Sequence, residues 1–187
     1  RDTVSGRANK KQFDTEYQSY PVESIAFRLP KNIAEAKKAI LDFKNEVDVL
    51  FYETLEGLPD ENGTPLSDRI LIPTLSKVFD KPVISNNYHH VQFGTLCAVV
   101  KTGQEQGEAA ADKLLMAMQG KDISKIPITS KTVGRPVINV SVMNSLGITP
   151  KPVVLKGVEL IKTVERFKVL VVMSYEKNFP WSREVKE

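Results

Sequence analysis

An α/β fold, with a Rossmann-like parallel sheet and helices on both of its faces, is what this sequence predicts. Three observations carry that expectation. Short apolar runs alternate with amphipathic stretches at intervals of roughly 15–35 residues, which is the pattern of βαβ units. Helix starts and stops carry the residues that the ends of helices require: Asn32 followed three positions on by Glu35, and Gly120 after the longest helical stretch. Residues 167–173 (Phe-Lys-Val-Leu-Val-Val-Met) form an almost unbroken apolar run, as a strand buried between two helical layers does.

In chain order, residues 6–20 are polar and charged and suit an exposed helix, with Phe13 and Tyr17 four apart on one face. Pro21 stops it, and residues 22–27 read as a short strand. Asn32 then caps a helix whose buried stripe is Ile33, Ala36, Ile40 and Phe43. Residues 47–52 are the next strand. The segment Pro59-Asp60-Glu61-Asn62-Gly63 has turn chemistry, with Gly63 free to take a positive φ. A helical pattern runs from about Ser67 to Phe79, and Pro73 inside it predicts either a kink or a helix that begins only at Ile72. Residues 82–85 are a strand followed by the polar segment 86–90, and residues 96–101 are another strand. Residues 104–118 are the best helix in the chain, with three consecutive alanines, two leucines and two methionines. Residues 126–130 and 136–140 are extended. Asn139 or Ser141 caps a short helix that ends at Leu146, just before Gly147. Residues 151–166 read as a tail, and Pro180 opens a last helix after the strand at 167–173.

The position of that strand is the irregularity of the sequence. A parallel lobe ordinarily opens with such an element, yet here it comes after residue 163. The expectation is a chain that is permuted or truncated, or one that takes missing parts from a second molecule.

Composition sets the outer bounds. The 187 residues fit one large domain or a domain with a fragment, and 41% hydrophobic content supplies a core. A net charge of +3 from 26 basic and 23 acidic side chains, with the signs interleaved, argues against nucleic acid as a partner. Cys97, the one cysteine, lies in the apolar run 96–100 and reads as a buried, unreactive thiol; no disulfide can form within the chain. No stretch approaches the roughly 18 apolar residues of a membrane span. Arg1 does not open a signal peptide, which a trimmed chain would in any case have lost.

Parallel sheets bind ligands at the carboxyl ends of their strands, so the residues that follow each strand are the candidates. They are Glu53 and Thr54; then Asn86, Asn87 and Tyr88 with His89 and His90; then Thr102 and Gly103; and finally Ser174, Tyr175 and Glu176, with Trp181 close behind. Amides and hydroxyls beside aromatic rings are the usual make-up of a small-molecule cleft. A metal at His89-His90 is not expected: neighbours in an extended segment point to opposite sides, no third histidine or second cysteine completes a site, and a solvated pair is the simpler reading. The stretch Gly103-Gln-Glu-Gln-Gly107 lacks the third glycine of a dinucleotide loop and the Lys-Ser/Thr of a phosphate loop. No cofactor is expected, and no catalytic residue either; Glu53 alone at a strand end suits the partner of a ligand's ammonium group better than a general base.

The run from Val47 to Thr54, then Lys81 to Asn86, Phe93-Gly-Thr-Leu-Cys-Ala-Val-Val-Lys, the helix from Gly103, Gly120-Lys-Asp, Ile126-Pro-Ile-Thr, Val137-Ile-Asn-Val and Leu146-Gly-Ile resembles the C-terminal half of the periplasmic substrate-binding proteins of ABC transporters. The group it resembles is the one whose characterised members bind aromatic amino acids. Residues 169–184 resemble the start of the same family's mature chain. The resemblance covers about residues 1–150 and rests on the order and spacing of elements. It implies a periplasmic-binding-protein type I lobe with a partial second lobe. Residues 1–92 would form the second, C-terminal-type lobe, residues 93–162 the hinge crossings and part of the first lobe, and residues 163–187 its displaced first strand and helix start. Two such lobes need on the order of 280–300 residues, so much of the first is missing from the expectation. The implied function is capture of a small solute, an amino acid or similar, by domain closure. Glu53, Thr54, Asn86, Asn87 and Tyr88 would hold it from one side, and Ser174, Tyr175 and Trp181 from the other. The implied partners are a membrane permease and, for the incomplete lobe, a second chain; the implied location is periplasmic or extracellular, with a lipid anchor as an option. Two other readings stand beside it: the sensing domain of a bacterial receptor on the same fold, and an α/β enzyme using Glu53.

Overall fold

The computed structural model describes residues 1–16, 21–126 and 133–164. Five strands make one sheet: β1 (Leu50–Tyr52), β4 (Val83–Ser85), β5 (Cys97–Val100), β6 (Arg135–Asn139) and β7 (Glu159–Ile161), in the spatial order β1-β4-β5-β6-β7. A small antiparallel ribbon, β2 (Leu58–Pro59) with β3 (Pro65–Leu66), encloses the turn at Gly63, whose φ of 83° only glycine adopts without strain. The ladders β1–β4 and β4–β5 are parallel, as expected. The ladder β5–β6 is antiparallel and β6–β7 parallel, so the sheet is mixed, and its last two strands run opposite to the first three.

The helices follow their caps. α1 (Val4–Glu16) is followed by α2 (Ile33–Phe43), where Asn32 Oδ1 accepts the Glu35 N–H at 2.8 Å and the Glu35 carboxylate accepts the Lys31 N–H at 2.9 Å. α3 (Asp68–Phe79) starts a full turn before Pro73, so this proline lies inside the helix rather than at its first position. α4 (Tyr88–Phe93) is a short helix made by the segment expected to be a polar loop. α5 (Gly103–Met118) is capped by Thr102, whose hydroxyl accepts the Glu105 N–H at 3.1 Å. α6 (Val140–Ser145) is capped by Asn139, which settles the choice between Asn139 and Ser141.

The main core joins Ile33, Ala36 and Ile40 of α2 to Leu71, Ile72, Leu75 and Phe79 of α3, with Tyr52, Leu58 and Val83 completing it. Each large side chain buried in this way contributes about 1.5–3 kcal/mol. A second, smaller cluster joins Val91, Ala98 and Val137. Strand register places Tyr52, Ser85, Ala98, Val137 and Glu159 on one face of the sheet. The other face carries a row across all five strands: Phe51, Ile84, Cys97, Ile138 and Leu160. The row is half-buried at its centre, but Phe51 is 53% exposed at one end and Leu160 50% at the other.

Several expectations are corrected. Residues 22–27 form no strand: Val22 is 68% exposed, and Phe27 packs on Phe13 of α1 at 5.2 Å instead. Phe27 thus finds its partner on a helix and not on a neighbouring strand, while Val22 and Ile25 stay exposed. The strand at 47–52 is shortened to β1. Residues 151–166 are no tail through residue 164. Residues 152–155 form a 3-10 turn, β7 pairs with β6, and Val164 N–H donates to Gln92 O at 2.9 Å. The strand at 167–173, the helix opened by Pro180, Tyr17 and most of residues 126–130 lie outside the described residues.

Asn139 ties these parts together. Fully buried, it donates to Val91 O at 2.7 Å and to Thr163 Oγ1 at 2.8 Å, while its Oδ1 accepts the N–H groups of Ser141 and Val142. Asn139→Ala is expected to lose the cap and strand two buried groups, about 2–3 kcal/mol by the usual values for a cap and for unmet hydrogen bonds. Urea unfolding would measure it, and a loss under about 0.5 kcal/mol would show that these bonds are replaced by water.

Candidate functional site

In the parallel part of the sheet, Tyr52 pairs with Ser85 at the carboxyl ends of β1 and β4. The residues that follow therefore come out side by side. Asn86 Nδ2 donates to Glu53 Oε2 at 3.0 Å, and Asn87 Nδ2 donates to Asn86 Oδ1 at 3.1 Å. Glu53 is half-buried, and Thr54 and Asn86 are exposed. Glu53, Asn86 and Asn87 thus form a polar chain on one open edge, with Thr54 beside it.

Tyr88 does not join them. As the first residue of α4 it turns its hydroxyl to Glu159, donating to Oε1 at 2.8 Å, and this hydrogen bond pushes the phenol pKa up. Glu159 Oε2 also forms an ion pair with Arg135 Nε at 3.1 Å. Ser174, Tyr175 and Trp181 lie outside the described residues.

The same sheet edge continues past β5. Because β6 runs back against β5, Arg135 lies opposite Val100 at the strand end where Thr102 begins α5. Thr102, Gln104, Glu105, Glu108, Gly134 and Arg135 line an open cleft of about 630 Å³ there. Glu105 Oε1 accepts the N–H groups of Val133 at 2.7 Å and Gly134 at 3.3 Å, so a carboxylate occupies the first turn of α5, where a bound phosphate would have to be. Sequence reasoning had reached Thr102 through its place after a strand. It missed Arg135 and Glu159, because only the antiparallel return of β6 brings them to this edge.

Behind the edge lies a buried polar cluster that the sequence reading missed. The Tyr52 hydroxyl donates to Asp68 Oδ1 at 2.5 Å, and His90 Nε2 lies 3.1 Å from Asp68 Oδ2. The Asp68 N–H donates to Glu56 Oε2 at 2.6 Å. His90 and Asp68 are buried, and His90 Nδ1 has no hydrogen-bond partner. Burial works against the Asp68 carboxylate, but the hydrogen bonds from His90 and Tyr52 outweigh it and hold its pKa below the ordinary value. Burial, and then the bond to this carboxylate, push the Tyr52 pKa far up, so Tyr52 stays a neutral donor.

The histidine pair is therefore not solvated as a pair, nor splayed. On a helix, adjacent side chains diverge by about 100° and not 180°. Both rings approach Asp68, with His89 Nε2 at 3.7 Å from the same Oδ2. Cys97 is only partly buried, not buried as expected, and the burial it has raises its thiol pKa.

Comparison with known proteins agrees with this architecture. Residues 69–161 match the family described as ABC transporter substrate binding protein. The fold is similar to an ABC domain in complex with L-Trp from Streptococcus pneumonia, with 20% identity, a TM-score of 0.54, and coverage of 83% of this chain and 50% of that one. It is similar to the ligand-free, open structure of a substrate binding protein with adhesive properties from Clostridium difficile: 17% identity, TM-score 0.64, 87% and 52% coverage. A conserved domain protein from Vibrio cholerae O1 biovar El Tor gives 17% identity, a TM-score of 0.51, and 82% and 49% coverage. The chain spans about half the length of the solved structures it matches. No curated protein matches the sequence.

Proposed function

We propose, from the premise that residues 69–161 belong to the ABC transporter substrate-binding family, that the chain captures an amino acid or a similar small solute at the edge formed by Glu53 and Asn86. The observation that carries this reading is the hydrogen bond between those two side chains across the ends of two parallel strands. It holds a carboxylate and an amide at the position where open α/β sheets bind ligands. Glu53 suits a solute's ammonium group, and Asn86, Asn87 and Thr54 offer both donors and acceptors to its polar remainder. Residues 1–92 act as one lobe and the following residues as the crossing toward the other. The solute binds the closed arrangement better and shifts the population toward it. A membrane permease receives the solute outside the cytoplasm, in the periplasm or at the cell surface, where a lipid anchor suits a protein that serves a membrane partner. The reading is of a binding protein and not of an enzyme, as for the family and the substrate-binding neighbours.

Calorimetric titration with a panel of free amino acids tests it. Glu53→Gln and Asn86→Ala are expected to weaken the bound solute by about 10- to 150-fold, the equivalent of a hydrogen bond to a charged group. The melting temperature should stay nearly unchanged, since both side chains lie at the rim of the sheet. Unaltered affinity in both variants would remove this edge from the site, and no binding across the panel would remove the solute class.

A further inference from the structure

We propose that Asp68, His89 and His90 form a binding site for a single divalent transition-metal ion of the zinc type. This rests on the buried cluster alone and is independent of the solute reading.

One donor atom from each residue lies within 4.8 Å of the other two. Ligand atoms around a tetrahedral zinc stand about 3.3 Å apart, given metal–ligand distances of roughly 2.0–2.2 Å. The separations from Asp68 Oδ2 bracket that value, 3.1 Å to His90 Nε2 and 3.7 Å to His89 Nε2. A hydrogen bond between Asp68 and His90 would account for the first contact. It leaves the second unexplained: His89 has 50% of its side chain in solvent, yet its Nε2 turns toward the same buried oxygen, with the two rings edge to face at 4.3 Å.

The surroundings orient the set as outer partners orient metal ligands. Tyr52 occupies the other Asp68 oxygen and leaves Oδ2 to the imidazoles, while Glu56 holds the Asp68 backbone. Two imidazoles and one carboxylate suit zinc and its neighbours rather than magnesium or calcium, which take oxygen ligands. Three protein ligands leave a fourth position, and His89 marks the side from which an ion and its water enter.

The test is titration of the chelator-treated chain with zinc chloride, followed by calorimetry and by thermal unfolding. The wild-type chain is expected to take up one ion and to melt at a higher temperature with zinc present. His89→Ala should melt like the wild type without zinc, because the ring is half exposed, and should bind zinc at least about tenfold more weakly. His89→Gln keeps the bulk of the side chain, so a folding defect in the alanine variant would not decide the outcome. Failure of the wild-type chain to bind zinc would overturn the proposal. So would equal stoichiometry and affinity in both variants; Asp68 and His90 would then be a buried hydrogen-bonded pair and nothing more.

Discussion

Asp68→Ala is expected to destabilise the protein by about 2–6 kcal/mol, from two buried groups each left unsatisfied at about 1–3 kcal/mol. The carboxylate accepts from Tyr52 and faces His90, and both of those residues are buried. With alanine in its place, the phenol hydroxyl loses its acceptor and the imidazole keeps no polar contact on either nitrogen, since Nδ1 already has none. Asp68→Asn should cost less. The amide oxygen still accepts from Tyr52, and the amide N–H can donate to Nε2 once His90 takes the other tautomer. Urea unfolding in chelator-containing buffer measures both variants. A loss below about 1 kcal/mol for alanine, no more than a typical net hydrogen bond, would mean that water replaces the carboxylate.

The second large effect belongs to the apolar core. Phe79→Ala should cost about 3–5 kcal/mol, because Phe79, the last residue of α3, is fully buried in the core that α2 and α3 share. Leu114→Ala on α5 should change stability by less than about 0.5 kcal/mol. No residue of α5 is buried, and Leu114 is 62% exposed. Denaturant midpoints for the two variants decide it; equal losses would show that α5 packs as firmly as α3.

Much of the fold could be read in the sequence because its signals are local. Asn32 with Glu35 and Asn139 before α6 each carry their cap in the residue itself. Apolar periodicity likewise marked Ile33, Ala36 and Ile40 in the buried stripe of α2, with Phe43 only half-buried. What escaped depends on partners distant in the chain. Residues 22–27 have strand-like composition but no ladder, and β7 has a ladder but lies in a stretch that reads as a tail. The reversal of β6 is a matter of topology, which no short window of sequence encodes.

The candidate site divides in the same way. That Glu53 and Asn86 lie side by side was legible because strand ends share an edge in any parallel sheet. Asp68 was not, because it lies 22 residues before His90 and reads only as a helix start. The histidines were misjudged because a six-residue helix is too short to show a period.

The apolar row from Phe51 to Leu160 has Cys97 at its middle, and that residue is the only cysteine in the chain. The thiol is therefore a built-in reporter for that face. Only the thiolate reacts with an alkylating reagent, and burial disfavours it here, so the labelling rate rises and falls with how well the row is covered. Any partner or further stretch of polypeptide that closes over the row slows labelling at this one position, and any opening speeds it. A single sulfur, with no competing cysteine to subtract, converts the cover of a whole sheet face into a rate.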